Sequence, residues 1–178
     1  MGGSYLVFLR LPVDLTAWDS IDATRQELLV GRQKVSGCPL SGEKDGVGIP
    51  AEGDDNFREP PAAVDATIAA SHVQRSNHHH RPASRVDSRR IYRQGYEFLT
   101  PTPGGMRVGL NFVSFQDDPR RCLFILETPE WLGGVNFGGT DDEQNGAVTG
   151  LISVRAAGVY FAPGVVEGEA FPGAGVLG

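Results

Sequence analysis

Apolar residues at every second position, Met106, Val108, Leu110 and Phe112, admit only an extended strand with one buried face. Val113 and Phe115 carry the apolar series on with opposite parity, which requires either a β-bulge or burial on both faces. Pro101 to Gly105 reads as a turn, and Arg89 to Tyr96 before it as a short strand. Ser4 to Leu11 is a further strand of high β propensity, ended by Pro12 and Asp14, and Val159-Tyr160-Phe161 is a last one. Strands must pair their backbone groups, so the chain has to build a sheet.

Helical signals lie between the strands. Over residues 15–30, Leu15, Trp18 and Ile21 share one face, and Leu28 and Leu29 continue it. Thr24 followed by Glu27 resembles a capping box, which predicts a break and a second short helix that stops at Gly31. Residues 64–75 allow one or two helical turns, and Asp118-Pro119 opens a helix with Leu123, Phe124 and Leu126. The 24 Gly and 12 Pro residues predict long connections: a loop over 35–65, a polar link over 78–88 and a glycine-rich stretch over 133–139. Residues 148–155 read as either helical or extended, and the tail from Gly164 as irregular. The order of elements predicts an α+β fold, an antiparallel sheet with helices on one face, with residues 1–178 as a single domain.

The net charge of −6 argues against nucleic acid or an anionic membrane as partner. No apolar run approaches the roughly 20 residues of a membrane-spanning helix. No secretory signal is evident at the start, so a cytoplasmic location is expected. Cys38 and Cys122 have no Cys or His at metal-binding spacing and read as two buried thiols, with a disulfide left open.

Chemistry concentrates in Ser71-His72-Val73-Gln74-Arg75-Ser76-Asn77 and in Arg93-Gln94-Gly95-Tyr96. A neutral imidazole at His72 and a permanent cation at Arg93 suit a haem site, one to hold iron and the other to stabilise charge on bound peroxide. His78-His79-His80 reads as a solvated loop rather than a metal site, since adjacent histidines offer no fixed geometry. Trp131 and Tyr96 are either surface electron donors or packing residues. The stretch 133–139 lacks the Lys and Ser/Thr of a phosphate loop.

The blocks Gly2-Gly3-Ser4-Tyr5-Leu6-Val7, Gly37-Cys38-Pro39-Leu40, Ser71 to Asn77, Arg90 to Tyr96 and Gly109 to Gln116 resemble, in this order, the C-terminal half of a dye-decolorizing peroxidase. The closing Ala157-Gly158-Val159-Tyr160 and Phe171-Pro172-Gly173 segments extend the resemblance over nearly the whole chain. It implies ferredoxin-like α+β modules with haem b in the C-terminal one. It also implies that His72 is the proximal iron ligand and Arg93 the distal arginine, in a triplet that reads Arg-Gln-Gly where the family commonly has Arg-Arg-Gly. The second nitrogen of His72 is expected to donate to a carboxylate, with Asp141 and Asp142 as candidates by location. Arg32 and Arg75 are expected at the haem propionates on grounds of charge.

One part of the family pattern has no counterpart. The family's distal aspartate lies in a Gly-x-x-Asp-Gly motif upstream of the Gly-Gly-Ser-Tyr strand, and this chain begins at that strand. Gly42-Glu43-Lys44-Asp45-Gly46 fits the motif but follows the first strand, so Asp45 reads as a turn residue. Two functions are therefore expected. One is a haem peroxidase that reduces hydrogen peroxide while oxidising dyes, phenols or similar organic donors. The other is a haem-binding protein or a truncated or degenerate peroxidase half with little turnover; a homo-oligomer or a missing N-terminal module is expected as partner.

Overall fold

The computed structural model describes residues 2–50, 66–77, 89–129, 131–146 and 148–177. It divides into two compact units, where the sequence suggested one domain.

The first unit comprises Met1–Val13, Arg89–Phe124 and Ser153–Gly178. Strands β1 (Ser4–Pro12), β4 (Tyr92–Thr102), β5 (Gly105–Gln116) and β6 (Ala156–Ala162) form one sheet in the order β4-β5-β1-β6. Every neighbouring pair is antiparallel. Central β5 keeps an unbroken register against β1 and against β4, so the parity switch at Phe112-Val113 involves no bulge. The apolar residues instead serve both faces. Phe112 lies across from Leu9, while Val113 and Phe115 lie across from Phe8 and Leu6 on the opposite face.

Val7 and Leu9 of β1 pack with Cys122 of α5 (Arg120–Glu127), joined by Leu11 and Phe112, so one core cluster of this unit lies on that face of the sheet. The other face is tied together by Arg10. Its guanidinium sits 3.8 Å from the centroid of the Phe98 ring and donates to Thr100 Oγ1 at 2.8 Å and Asn111 Oδ1 at 3.1 Å. Near the end of the chain a short helix, α7 (Ala174–Leu177), interrupts a tail expected to be irregular.

The second unit comprises Asp14–Ser88 and Ile125–Ile152. Helices α1 (Leu15–Asp19) and α2 (Ala23–Val30) confirm the predicted break. The cap differs from the expected Thr24–Glu27 box. Asp22 caps α2 by accepting from the Arg25 N–H, and Glu27 instead accepts from the Lys34 N–H at 2.7 Å. Gly31 ends α2 at φ 85°, as expected of a left-handed cap.

The expected loop over 35–65 contains a hairpin. Strands β2 (Leu40–Lys44) and β3 (Val47–Pro50) turn through Asp45 at φ 56° and Gly46 at φ 78°, the paired positive angles that a tight hairpin turn requires. This confirms Asp45 as a turn residue. Short strands flanked by glycine gave no run long enough to show a period. Residues 51–65 and the polar link over 78–88 lie outside the described residues.

Helix α3 (Ala66–Ala69) and α4 (His72–Asn77) lead into the histidine segment, and α6 (Asp141–Gln144) follows the glycine-rich loop. The core of this unit includes Leu28, Leu40 and Ile68. Among the described residues no helix is long and apolar enough to cross a membrane.

Candidate functional site

His72 is the first residue of α4 and is half-buried. Two features of the loop before α6 hold its ring. Nδ1 lies 2.7 Å from the Phe137 carbonyl oxygen, and the imidazole stacks on the Phe137 ring at 4.2 Å with 3° between planes. A carbonyl oxygen only accepts, so Nδ1 carries the proton and Nε2 of the neutral ring carries the lone pair. The sequence led us to expect a carboxylate from Asp141 or Asp142 at this nitrogen; the structure puts a backbone carbonyl there. The physical reason is the tight approach of the loop. A Cβ on Gly138 would lie 2.6 Å from the backbone nitrogen of His72, so only glycine lets the chain pass that close.

The loop is fixed at both ends. The Asn136 amide exchanges two hydrogen bonds of 2.7 Å with the backbone of Ile152. The Gly139 N–H donates to the Ala70 carbonyl at 2.6 Å. The edge of Trp18 meets the Phe137 ring at 6.2 Å. Phe137 and Asn136 were not singled out in the sequence. The signal was available: one aromatic flanked by the pairs Gly133-Gly134 and Gly138-Gly139.

The expected propionate arginines face backbone oxygens. Arg75 donates through Nε to the Ala70 carbonyl at 3.0 Å, and its terminal nitrogens meet the carbonyls of Pro129, Trp131 and Gly139 at 3.4, 3.3 and 3.4 Å. Arg32 donates to the Gly37 carbonyl at 2.6 Å and closes its own turn. A propionate would have to compete with these carbonyls. Trp131 is fully buried, which makes it a packing residue and not a surface donor, whereas Tyr96 is 58% exposed.

Arg93 belongs to the first unit, on β4, paired across the ladder with Ser114. It therefore shares the face that carries Val7 and Phe112. Its side chain is exposed, and among the described residues no hydrogen bond or ion pair engages its guanidinium. Gly95, two residues on, leaves room on this face for Leu110, whose Cδ1 would lie 2.9 Å from an added Cβ. Cys122 lies under the same face. Burial pushes its thiol above the ordinary range, and the nearby Ser114 hydroxyl partly offsets that. Among the described residues no cluster of three or more His, Cys, Asp or Glu could hold a bare metal ion.

A neutral imidazole with its lone pair on Nε2 is a donor of the kind that haem iron takes from a protein. The fold is an α+β, ferredoxin-like module, an antiparallel four-stranded sheet with a core cluster on one face. The sequence profile of the family described as Dyp-type peroxidase, C-terminal, matches residues 1–167, and the chain belongs to that family.

A dye-decolorizing peroxidase from Thermobifida fusca is 30% identical over 120 residues, which is 66% of this chain and 26% of the relative. A DyP-type peroxidase from Streptomyces coelicolor superposes with a TM-score of 0.66 at 23% identity, over 98% of this chain and 43% of that one. A DypB variant from Rhodococcus jostii RHA1 in complex with heme superposes with a TM-score of 0.54 at 16% identity, over 92% of this chain and 42% of that one. The chain thus spans less than half the length of each.

Proposed function

We propose that this chain is the haem-bearing part of a peroxidase that reduces hydrogen peroxide and oxidises dyes, phenols or similar donors. The observation that carries the reading is the imidazole of His72, whose Nδ1 proton is committed to the Phe137 carbonyl so that Nε2 presents its lone pair. Haem b bound there would supply the redox chemistry, taking two electrons' worth of oxidation from peroxide and returning it to the donor. Family membership and the presence of heme in one structural relative support the choice of cofactor.

The protein's own contributions follow from its residues. His72 would hold the haem iron through Nε2. The Phe137 carbonyl keeps the Nδ1 proton in place and makes the ring a better electron donor than an unpartnered imidazole. The exposed guanidinium of Arg93 is available to stabilise negative charge developing on a peroxide oxygen.

A second reading is a haem-binding half with little turnover. The chain's short span relative to its relatives, 26% of one and 43% of another, favours it. Titration of the purified chain with haemin, followed by absorption, tests both readings at their common root. A Soret band that saturates at one haem per chain and disappears in His72→Ala is the expected result. A His72→Ala spectrum equal to wild type overturns the ligand assignment.

A further inference from the structure

We infer that Arg75 is a positioning residue for the His72 imidazole, acting through the loop that carries Phe137. The inference rests on the reading of His72 as the haem ligand. Arg75 follows His72 by three positions on α4, so both start from the same helical turn. The guanidinium reaches back along the helix to the Ala70 carbonyl and outward to the carbonyls of Pro129, Trp131 and Gly139. These last three sit on both sides of Phe137 in sequence. A planar, permanently charged fork suits this task, since several carbonyls converge on one group that donates in fixed directions.

The consequence for His72 is geometric. Its ring is held by Phe137 twice, through the carbonyl at Nδ1 and through the stacked ring. Phe137 can do this only while the loop lies flat against the start of α4, where Gly138 permits contact with the His72 backbone. The Gly139 N–H bond to Ala70 and the Arg75 contact to the Gly139 carbonyl close that approach from both sides of one residue. Asn136 anchors the loop independently at Ile152, so loss of Arg75 frees the segment near Gly139 without releasing the whole loop. Arg75 thereby sets which ring nitrogen of His72 bears the proton, and so which one bears the lone pair.

The test reads the ring directly and without haem. Nitrogen-15 NMR of the histidine rings at about pH 8, above the ordinary imidazole range, separates the two tautomers, and His72→Ala assigns the signal. The wild type is expected in the Nδ1–H form. In Arg75→Lys, whose ammonium lacks the fork, the tautomer ratio is expected to move about fivefold toward Nε2–H, the factor for losing one ordinary hydrogen bond. A cooperatively melting Arg75→Lys chain with the wild-type ratio overturns the inference.

Should that variant fail to fold, the wild type decides. A slowly exchanging Arg75 Nε–H proton is expected from its bond to Ala70, and a freely exchanging one overturns the clamp. Because these readouts need no cofactor, a wild type that takes up no haem defeats the haem reading alone. An unchanged ratio with haem uptake intact defeats the role of Arg75 alone.

Discussion

Three arginines of the described residues serve different ends, and their surroundings decide which. Arg10 lies over the Phe98 ring and braces a sheet face, Arg75 meets backbone carbonyls, and Arg93 stands exposed on β4. Only the last has a guanidinium available for a ligand without breaking a contact recorded for it. With haem bound, Arg93→Leu is expected to lower peroxide turnover by about 10²–10³, the usual cost of removing one electrostatic stabiliser, while the Soret band stays unchanged. Steady-state rates at varied peroxide check this, and equal rates would remove Arg93 from the reaction. The two cysteines should also separate. Burial raises the Cys122 thiol, whereas Cys38 is only partly buried. Mass spectrometry after brief alkylation at neutral pH is expected to find Cys38 labelled well before Cys122.

Helix ends and turns were legible where one residue type does a local job, and misread where a neighbour did it instead. Gly31 stops α2 as its lack of a Cβ suggests, and the Asp118-Pro119 pair opens α5. Thr24 was passed over as cap because Asp22, two residues earlier, reaches the Arg25 N–H. Asp118 gives a pH prediction. Hydrogen bonds from the Arg120 side chain and then from its backbone N–H lower the carboxyl from 3.8 to about 2. A depressed carboxylate adds stability that is present above its unfolded value and lost as pH falls through its folded one. The melting difference between wild type and Asp118→Ala is therefore expected to hold steady above pH 3.8 and to close toward pH 2. Melts across that window check it; a difference independent of pH would mean that the carboxylate does not cap α5. Gly31→Ala is expected to destabilise by at least about 1 kcal/mol. Its φ is 85°, and the new Cβ would lie 2.4 Å from Ser71 Oγ, one residue before His72.

At the scale of the molecule, the chain covers 43% of the Streptomyces coelicolor relative. If the upstream motif supplies the acid that moves protons at peroxide, joining such a segment to this chain should raise turnover by about 10²–10⁴. Equal rates with and without it would remove that acid from the mechanism. The sequence by itself determined the presence of the four strands of the larger sheet, because apolar alternation and β-branched content act over a few residues. It also marked His72 and Arg93, because their chemistry stands out against a polar, glycine-rich background. Only the tertiary structure decided that β5 runs without a bulge and is apolar on both faces, that β2 and β3 form a hairpin, and that Trp131 is buried. It also decided that the Phe137 carbonyl meets His72 from 65 residues away and that Arg75 binds the loop bearing it. These depend on which distant backbone groups come within hydrogen-bonding reach, and short-range patterns along a chain carry no record of that.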